Sequence, residues 1–142
     1  MEQVLRESPG VPMECILVVD DDSQFRAVVR KMLEQGGYHI LETENPLDAL
    51  QVAELSPRAI HLLLADVVMP GMNGVALGER IRARRPEAKV LLMSAMAQET
   101  LIAQAILNPE SKFISKPFTG PDLRLKVREV LDQRSPFARP RR

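Results

Sequence analysis

The sequence predicts an α/β fold, in which a doubly wound parallel sheet of five strands carries helices on both faces. Five short apolar runs alternate along the chain with five segments whose apolar residues recur at helical spacing. Such an alternation favours parallel strands joined by right-handed helical crossovers. Polar side chains also follow four of the runs directly, and the carboxyl ends of parallel strands lie along one edge of a sheet. These side chains are Asp20, Asp21, Asp66, Ser94 and Lys116.

The composition is that of one soluble domain. The chain has 142 residues, 45% of them hydrophobic and 27% charged, which is ordinary for a globular protein. Its 19 basic residues equal its 19 acidic ones, so we expect no nucleic-acid partner. No apolar stretch reaches the roughly 20 residues that span a bilayer, and a signal-peptide core is lacking, which predicts a cytoplasmic protein without a membrane partner. The one cysteine, Cys15, is predicted to be a buried, inert thiol.

The first strand and helix follow a leader. Residues 1–13 are predicted to be flexible, because two prolines and a glycine discourage regular structure. Residues 14–19 form an unbroken apolar run, as expected for a central strand. Ser23 can cap the following helix, with Asp22 as a charge at its N-terminus. The helix ends near Gln35, because the two glycines after it adopt positive φ at little cost.

The middle of the chain repeats this unit twice. Residues 38–42 form the second strand, and Asn45 followed by proline marks the start of a helix that ends near Leu55. Residues 60–65 form the third strand. A glycine-containing loop then leads to a third helix, which ends at Arg85 before a proline.

The last two units complete the sheet. The fourth and fifth strands are predicted at residues 89–93 and 112–115, with a helix over residues 98–107 between them. Pro121 opens the last helix. The arginine-rich residues 133–142 are predicted to be a disordered basic tail.

The polar side chains at the predicted sheet edge suit phosphoryl transfer. Magnesium binds oxygen ligands, takes one or two carboxylates and keeps several waters. A carboxylate is a poor nucleophile toward phosphate unless positive charge neutralises the phosphoryl oxygens. Three carboxylates, one hydroxyl and one ammonium can therefore hold a divalent cation and a transferable phosphoryl group.

Four motifs resemble the receiver domain of two-component response regulators, over about residues 14–132. They are Val18-Val19-Asp20-Asp21, Asp66 with Met69-Pro70-Gly71-Met72-Asn73-Gly74, Ser94-Ala95, and Lys116-Pro117-Phe118. The resemblance implies a flavodoxin-like (β/α)5 fold with the strand order 2-1-3-4-5. Residues 64–70 and 126–131 are most similar to receivers carried at the C-terminus of hybrid histidine kinases.

The resemblance implies a role for each polar residue. Asp66 stands at the position of the phosphoacceptor, and Lys116 at that of a lysine that pairs with it and then with the phosphoryl oxygens. The implied magnesium ligands are Asp21, Asp66, the main-chain carbonyl of Val68 and, through a water, Asp20.

A switch and its partners are implied as well. Ser94 would hydrogen-bond a phosphoryl oxygen on modified Asp66, and Phe113 occupies the aromatic switch position, so that two packings of a partner-binding face exchange population. The donor would be a histidine kinase or a phosphotransfer protein, and the signal would pass to an unknown downstream protein. We expect a monomer or weak dimer without a DNA-binding output domain, and no enzymatic turnover beyond self-phosphorylation and autodephosphorylation.

Several positions depart from the family pattern. Phe113 lacks the hydroxyl of the tyrosine common at its position. Val68 and Met96 are apolar where polar residues are frequent, which bears on the lifetime of the acyl phosphate. Residues 108–111 replace a Gly-Ala step, which bears on the shape of the output face, and Asn73 replaces the commoner aspartate without expected consequence.

Two other classes of protein share parts of this pattern. A haloacid dehalogenase-type phosphatase would use Asp20 as nucleophile, because Asp20-x-Asp22 follows a strand. That class needs a late acidic pair, whereas the only aspartates after Ser94 are Asp122 and Asp132, both in the last predicted helix. A flavodoxin-like mononucleotide binder would need a glycine-, serine- or threonine-rich loop after the first strand, where this chain has three aspartates that repel phosphate.

Overall fold

A computed structural model describes residues 13–133, and it confirms the predicted fold class. Five strands pair in parallel in the order β2-β1-β3-β4-β5. The strands are β1 (Cys15–Val19), β2 (His39–Thr43), β3 (Leu62–Asp66), β4 (Lys89–Ser94) and β5 (Phe113–Ser115). The helices are α1 (Ser23–Glu34), α2 (Pro46–Leu55), α3 (Gly74–Arg84), α4 (Gln98–Ala103) and α5 (Gly120–Asp132). Most of the predicted leader and basic tail, residues 1–12 and 134–142, lies outside the described residues.

Successive residues of the central strands pack on opposite faces of the sheet. Every residue of β1 and β3 is buried, because these strands are covered on both sides. Leu17 and Leu63 belong to the apolar cluster under α2, α3 and α4. Their strand neighbours Val18 and Leu64 belong to the cluster under α1 and α5. The alternation explains why the sequence shows unbroken apolar runs, which parallel strands buried on both faces require.

The start of α1 corrects one prediction. Asp22, not Ser23, is the N-cap residue. Its carboxylate accepts hydrogen bonds from the backbone N–H groups of Gln24 and Phe25, both at 3.1 Å. Asp22 has the extended backbone of an N-cap, while Ser23 is already helical, and the N-cap position is defined by that change of conformation. The predicted cap of α2 is confirmed, because the Asn45 side chain accepts from the Asp48 N–H at 2.8 Å.

Two element boundaries also differ from the predictions by two residues or more, and several others differ by one. The fourth helix was expected to reach residue 107, but α4 ends at Ala103, and Ala105 adopts a positive φ of 60°. The turn buries Leu107, whose N–H donates to the Leu101 carbonyl at 3.1 Å, so the apolar spacing continues after the helix has ended. Likewise, Ile60 is buried ahead of β3 without belonging to the strand. At Ile60 and at Leu107, the apolar pattern therefore indicated that the residue is buried, but not that it belongs to a strand or helix.

A charged network joins α1 to β2. Arg26 Nε donates to Glu42 Oε1 at 2.8 Å, and Arg30 pairs with the other oxygen of the same carboxylate. Burial raises the pKa of Glu42, but the hydrogen bonds from Arg26 and Arg30 outweigh it, so the pKa is lowered overall. Among residues 13–133, no helix is both long and apolar enough to cross a membrane.

The lowered pKa of Glu42 predicts that Glu42→Gln destabilises the protein at neutral pH but not at low pH. A lowered carboxyl pKa stabilises the fold above the ordinary glutamate range, and this stabilisation is lost as pH falls through the folded-state pKa. We expect Glu42→Gln to lower the free energy of unfolding by about 1 kcal/mol at pH 7. Urea unfolding from pH 7 to pH 3 should show this difference shrink toward zero. A difference that stays constant over that range would contradict the prediction.

Candidate functional site

Parallel pairing places two of the predicted acidic residues side by side. Val19 of β1 is in register with Ala65 of β3, so the next residues, Asp20 and Asp66, reach the sheet edge at the same level. On the other side of β3, the Val67 N–H donates to the Met93 carbonyl of β4 at 2.8 Å. The strand ends therefore meet at one edge, as the alternation of strands and helices predicts.

Lys116 joins the two carboxylates. Its Nζ donates to Asp66 Oδ2 at 2.6 Å and to Asp20 Oδ2 at 2.9 Å. Lys116 follows β5, and its backbone N–H donates to the Ser94 carbonyl of β4 at 2.9 Å, which anchors this end of β5 to its neighbour. The bond from Lys116 to Pro117 is cis. Asp20, Asp66 and Lys116 thus form one cluster, although 96 positions separate the first from the last.

Burial and hydrogen bonding act on the charges of this cluster in opposite directions. Asp66 is 8% exposed and Asp20 is fully buried. Burial raises the pKa of Asp66, against the lowering effect of the hydrogen bonds from Lys116 and from the Val68 N–H. Burial lowers the pKa of Lys116, but its hydrogen bonds to Asp66 and then Asp20 outweigh that effect and raise it overall. The ammonium therefore stays charged, and one cation faces two carboxylates.

The remaining predicted metal ligands lie at the rim of the cluster. Asp21 is exposed, and the structure of residues 13–133 contains no group of three or more His, Cys, Asp or Glu side chains arranged to hold a metal ion. Val68 donates its N–H to Asp66 Oδ1 at 3.0 Å. The donor chemistry nevertheless fits magnesium, which needs only one or two carboxylates with waters and phosphate oxygens. Asp20 and Asp66 together carry more negative charge than the one ammonium of Lys116 neutralises, and this excess favours a bound cation.

Ser94 and Phe113 are both buried. Ser94 is the last residue of β4, and Phe113 is the first residue of β5. Ser94 is 2% exposed, and its Oγ accepts a hydrogen bond from the Met96 N–H at 3.0 Å. Phe113 is 7% exposed, is in register with Leu92 and belongs to the cluster under α2, α3 and α4. The ring therefore packs inward in this structure. The side chain of Met96 is itself partly exposed at the rim.

Two residues of α1 contact the cluster without having been predicted to do so. The Lys116 ammonium lies 4.2 Å from the ring centroid of Phe25. Arg26 Nη1 donates to the main-chain carbonyl of Asp20 at 2.6 Å. Helical spacing predicted that Phe25 lies on the apolar face of α1, and only its place one turn after the acidic pair could have indicated the contact. A side-chain bond to a backbone carbonyl leaves no sequence signal of its own.

Comparison with known families finds a match over most of the chain. The model of the response regulator receiver domain matches residues 16–128. Among curated proteins, the response regulator receiver protein CpdR of Brucella abortus is 32% identical over 119 residues, which are 84% of this chain and 98% of that protein.

Solved structures agree with the sequence match. A CheY-like response regulator receiver domain from Methanospirillum hungatei superposes with a TM-score of 0.71 at 27% identity, covering 85% of this chain and 95% of that one. The receiver domain of the hybrid histidine kinase CckA superposes with a TM-score of 0.69 at 30% identity, covering 83% and 99% of the two chains. The resemblance read from the four motifs, including that to hybrid-kinase receivers, is thereby confirmed.

Proposed function

Because the chain belongs to the response regulator receiver domain family, we propose that it accepts a phosphoryl group on Asp66. The donor would be a histidine kinase or a phosphotransfer protein that presents a phosphohistidine. One observation carries the proposal: Lys116 is hydrogen-bonded to a buried Asp66 that lies beside a second buried carboxylate, Asp20. Receiver domains are signalling domains, and this cluster is suited to one transfer for each signal.

The residues divide the chemistry between them. A carboxylate oxygen of Asp66 attacks phosphorus, the bond from phosphorus to the histidine nitrogen breaks, and an acyl phosphate forms. The Val68 N–H holds Asp66 Oδ1 and so orients the carboxylate. Lys116 turns from the carboxylates toward the phosphoryl oxygens and neutralises part of their charge.

Magnesium would be held by the residues at the strand ends. The ligands would be Asp21, Asp66 and the Val68 carbonyl, with Asp20 acting through a water. When bound, Mg2+ supplies positive charge to the phosphoryl oxygens. The two buried carboxylates share the single ammonium of Lys116, so a cation bound beside them would neutralise their remaining charge.

Phosphorylation would be read through β4 and β5. The Ser94 hydroxyl, which now accepts from the Met96 N–H, would donate to a phosphoryl oxygen and draw its loop toward Asp66. Phe113 would follow, as one of two packings of the face formed by α4, β5 and α5 becomes more populated. A downstream protein would recognise that face.

Labelling with acetyl phosphate tests the proposal. Incubation with acetyl phosphate and Mg2+ should add one labile group of about 80 Da to the intact chain, the mass of a phosphoryl group. Asp66→Asn should abolish it. Asp22→Asn is the matched control, because asparagine caps a helix as well as aspartate does and only the backbone N–H of Asp22, which the substitution keeps, bonds to Asp20. Labelling that survives in Asp66→Asn would refute the assignment of the acceptor.

The same preparation separates this function from a phosphatase. Steady release of phosphate from a monoester, abolished by Asp20→Asn but not by Asp66→Asn, would indicate that Asp20 is the nucleophile. The structure supplies no reason to favour that outcome, because the Asp22 carboxylate, which that mechanism would use, caps α1 through bonds from the N–H groups of Gln24 and Phe25.

A further inference from the structure

The Lys116 ammonium has an aromatic neighbour as well as two carboxylates. Its distance of 4.2 Å from the Phe25 ring centroid is within the range of about 6 Å over which the negative face of a ring attracts a cation. The Lys116 side chain is only 15% exposed. Because water is largely excluded there, the attraction is stronger than at an open surface.

The Phe25 ring is itself held in place. Phe25 lies in the first turn of α1, where its N–H donates to the N-cap carboxylate of Asp22 at 3.1 Å. The ring packs edge-on against Phe118, with centroids 5.6 Å apart and planes at 69°. Both rings are partly buried against the apolar cluster under α1 and α5. The Phe25 ring is thus held both by the start of α1 and by Phe118, so its face stays beside the ammonium.

We propose that Phe25 is a positioning residue for Lys116, an inference that rests on the proposed function of Asp66. An ammonium has three donors, and two of them are on the carboxylates in this structure. During transfer these donors must turn to the phosphoryl oxygens while the charge stays in place. A ring face attracts the charge without accepting a strong hydrogen bond, so it holds the ammonium and leaves its donors available.

The rate of Asp66 labelling measures this role. Phe25→Leu keeps an apolar side chain and removes the ring, whereas Phe25→Tyr keeps the ring. With acetyl phosphate and Mg2+, we expect the initial rate to fall about fivefold in Phe25→Leu and to stay within about twofold of wild type in Phe25→Tyr. A wild-type rate in Phe25→Leu would overturn the inference. So would an equal fall in both variants.

Phe118→Leu is the matched control for packing. It removes the other ring of the pair, whose contact is with Phe25. We expect its labelling rate to change by less than about twofold, since leucine keeps an apolar side chain beside Phe25, which also packs against the cluster under α1 and α5, and the ring over the ammonium remains. A loss as large as that of Phe25→Leu would show that the effect comes from packing alone and would overturn the inference.

A second measurement requires no phosphoryl chemistry. Urea unfolding of Phe25→Leu, Lys116→Met and the double variant, without Mg2+ or donor, gives the coupling between ring and charge. Phe25→Leu should raise the equilibrium constant of unfolding, and we expect the factor of that rise to be about fivefold smaller when Lys116 is already methionine. Additive effects would overturn the inference. If instead wild type fails to label on Asp66 while the coupling is found, the proposed function fails and the contact stands.

Discussion

Lys116→Met is expected to destabilise the protein more than any other change at the site, by about 3 kcal/mol in the free energy of unfolding without divalent cation. Methionine keeps the length of the side chain and removes its charge. The change leaves Asp20 and Asp66, which are 0% and 8% exposed, without the ammonium that now bonds to both. Two buried carboxylates that have lost their cation repel each other, and the Oδ2 atom of each loses the hydrogen-bond donor that Lys116 supplies. Urea unfolding at pH 7 measures the loss.

Two variants test the reason for that loss. In an Asp66→Asn background one of the two charges is already absent, so Lys116→Met should then have a clearly smaller effect. Lys126→Met is the control for removing a lysine as such. Its partner is Glu129 at 3.7 Å on the exposed face of α5, and such pairs contribute less than about 1 kcal/mol. Equal losses in Lys116→Met and Lys126→Met would contradict the argument.

Gly74→Ala is the second change with a large expected effect, about 3 kcal/mol. A Cβ at Gly74 would overlap the main-chain carbonyl oxygen of Asp66, and it would lie 3.0 Å from the carbonyl carbon and 3.2 Å from a methyl group of Leu92. The Gly74 N–H also donates to the Val67 carbonyl at 2.9 Å, so the first turn of α3 is fixed against the end of β3. Backbone held from both sides cannot move away at low energy. Thermal or urea unfolding measures the loss.

Gly78→Ala provides the matched control within the same helix. Its Cβ would lie 3.1 Å from a Val90 methyl group, a side chain that can shift. Alanine also gains about 1 kcal/mol of helix propensity over glycine, so we expect a net change near zero. Because a Cβ at Gly74 would meet the backbone of Asp66, the proposed acceptor, Gly74→Ala should also slow labelling of Asp66, whereas Gly78→Ala should not. Equal stability of Gly74→Ala and wild type would show that α3 can move freely.

The parts of the fold that the sequence predicted are those set by burial on both faces. The runs in β1 and β3 could be assigned because a chain covered on both sides must be continuously apolar. The end of α4 could not, because Leu107 packs against the core from a turn as well as it would from a helix. Ser23 and Asp22 are both good N-cap residues, and only the backbone conformation decides between them.

The candidate site likewise has residues whose positions the sequence predicts and others whose positions only the structure shows. Asp20, Asp66 and Lys116 could be placed together because strand order and strand ends determine their positions. Asp20 and Asp21 look alike in the sequence, yet the first is buried and the second exposed, since neighbouring residues at the end of a strand point in different directions. The contact of Phe25 was not predicted, because an aromatic residue at helical spacing has the same pattern whether it packs in the core or against a cation.

The buried thiol of β1 simplifies spectroscopic work on this protein. Cys15 is the one cysteine of the chain and is fully buried, and burial raises its pKa against the opposing effect of Arg58 and Arg85. Thiol reagents act on accessible thiolates, so they will leave Cys15 unmodified in the folded protein. A cysteine introduced at Val68, where the native residue is 54% exposed, would then carry a single spin label or fluorophore beside Asp66 in an otherwise native background.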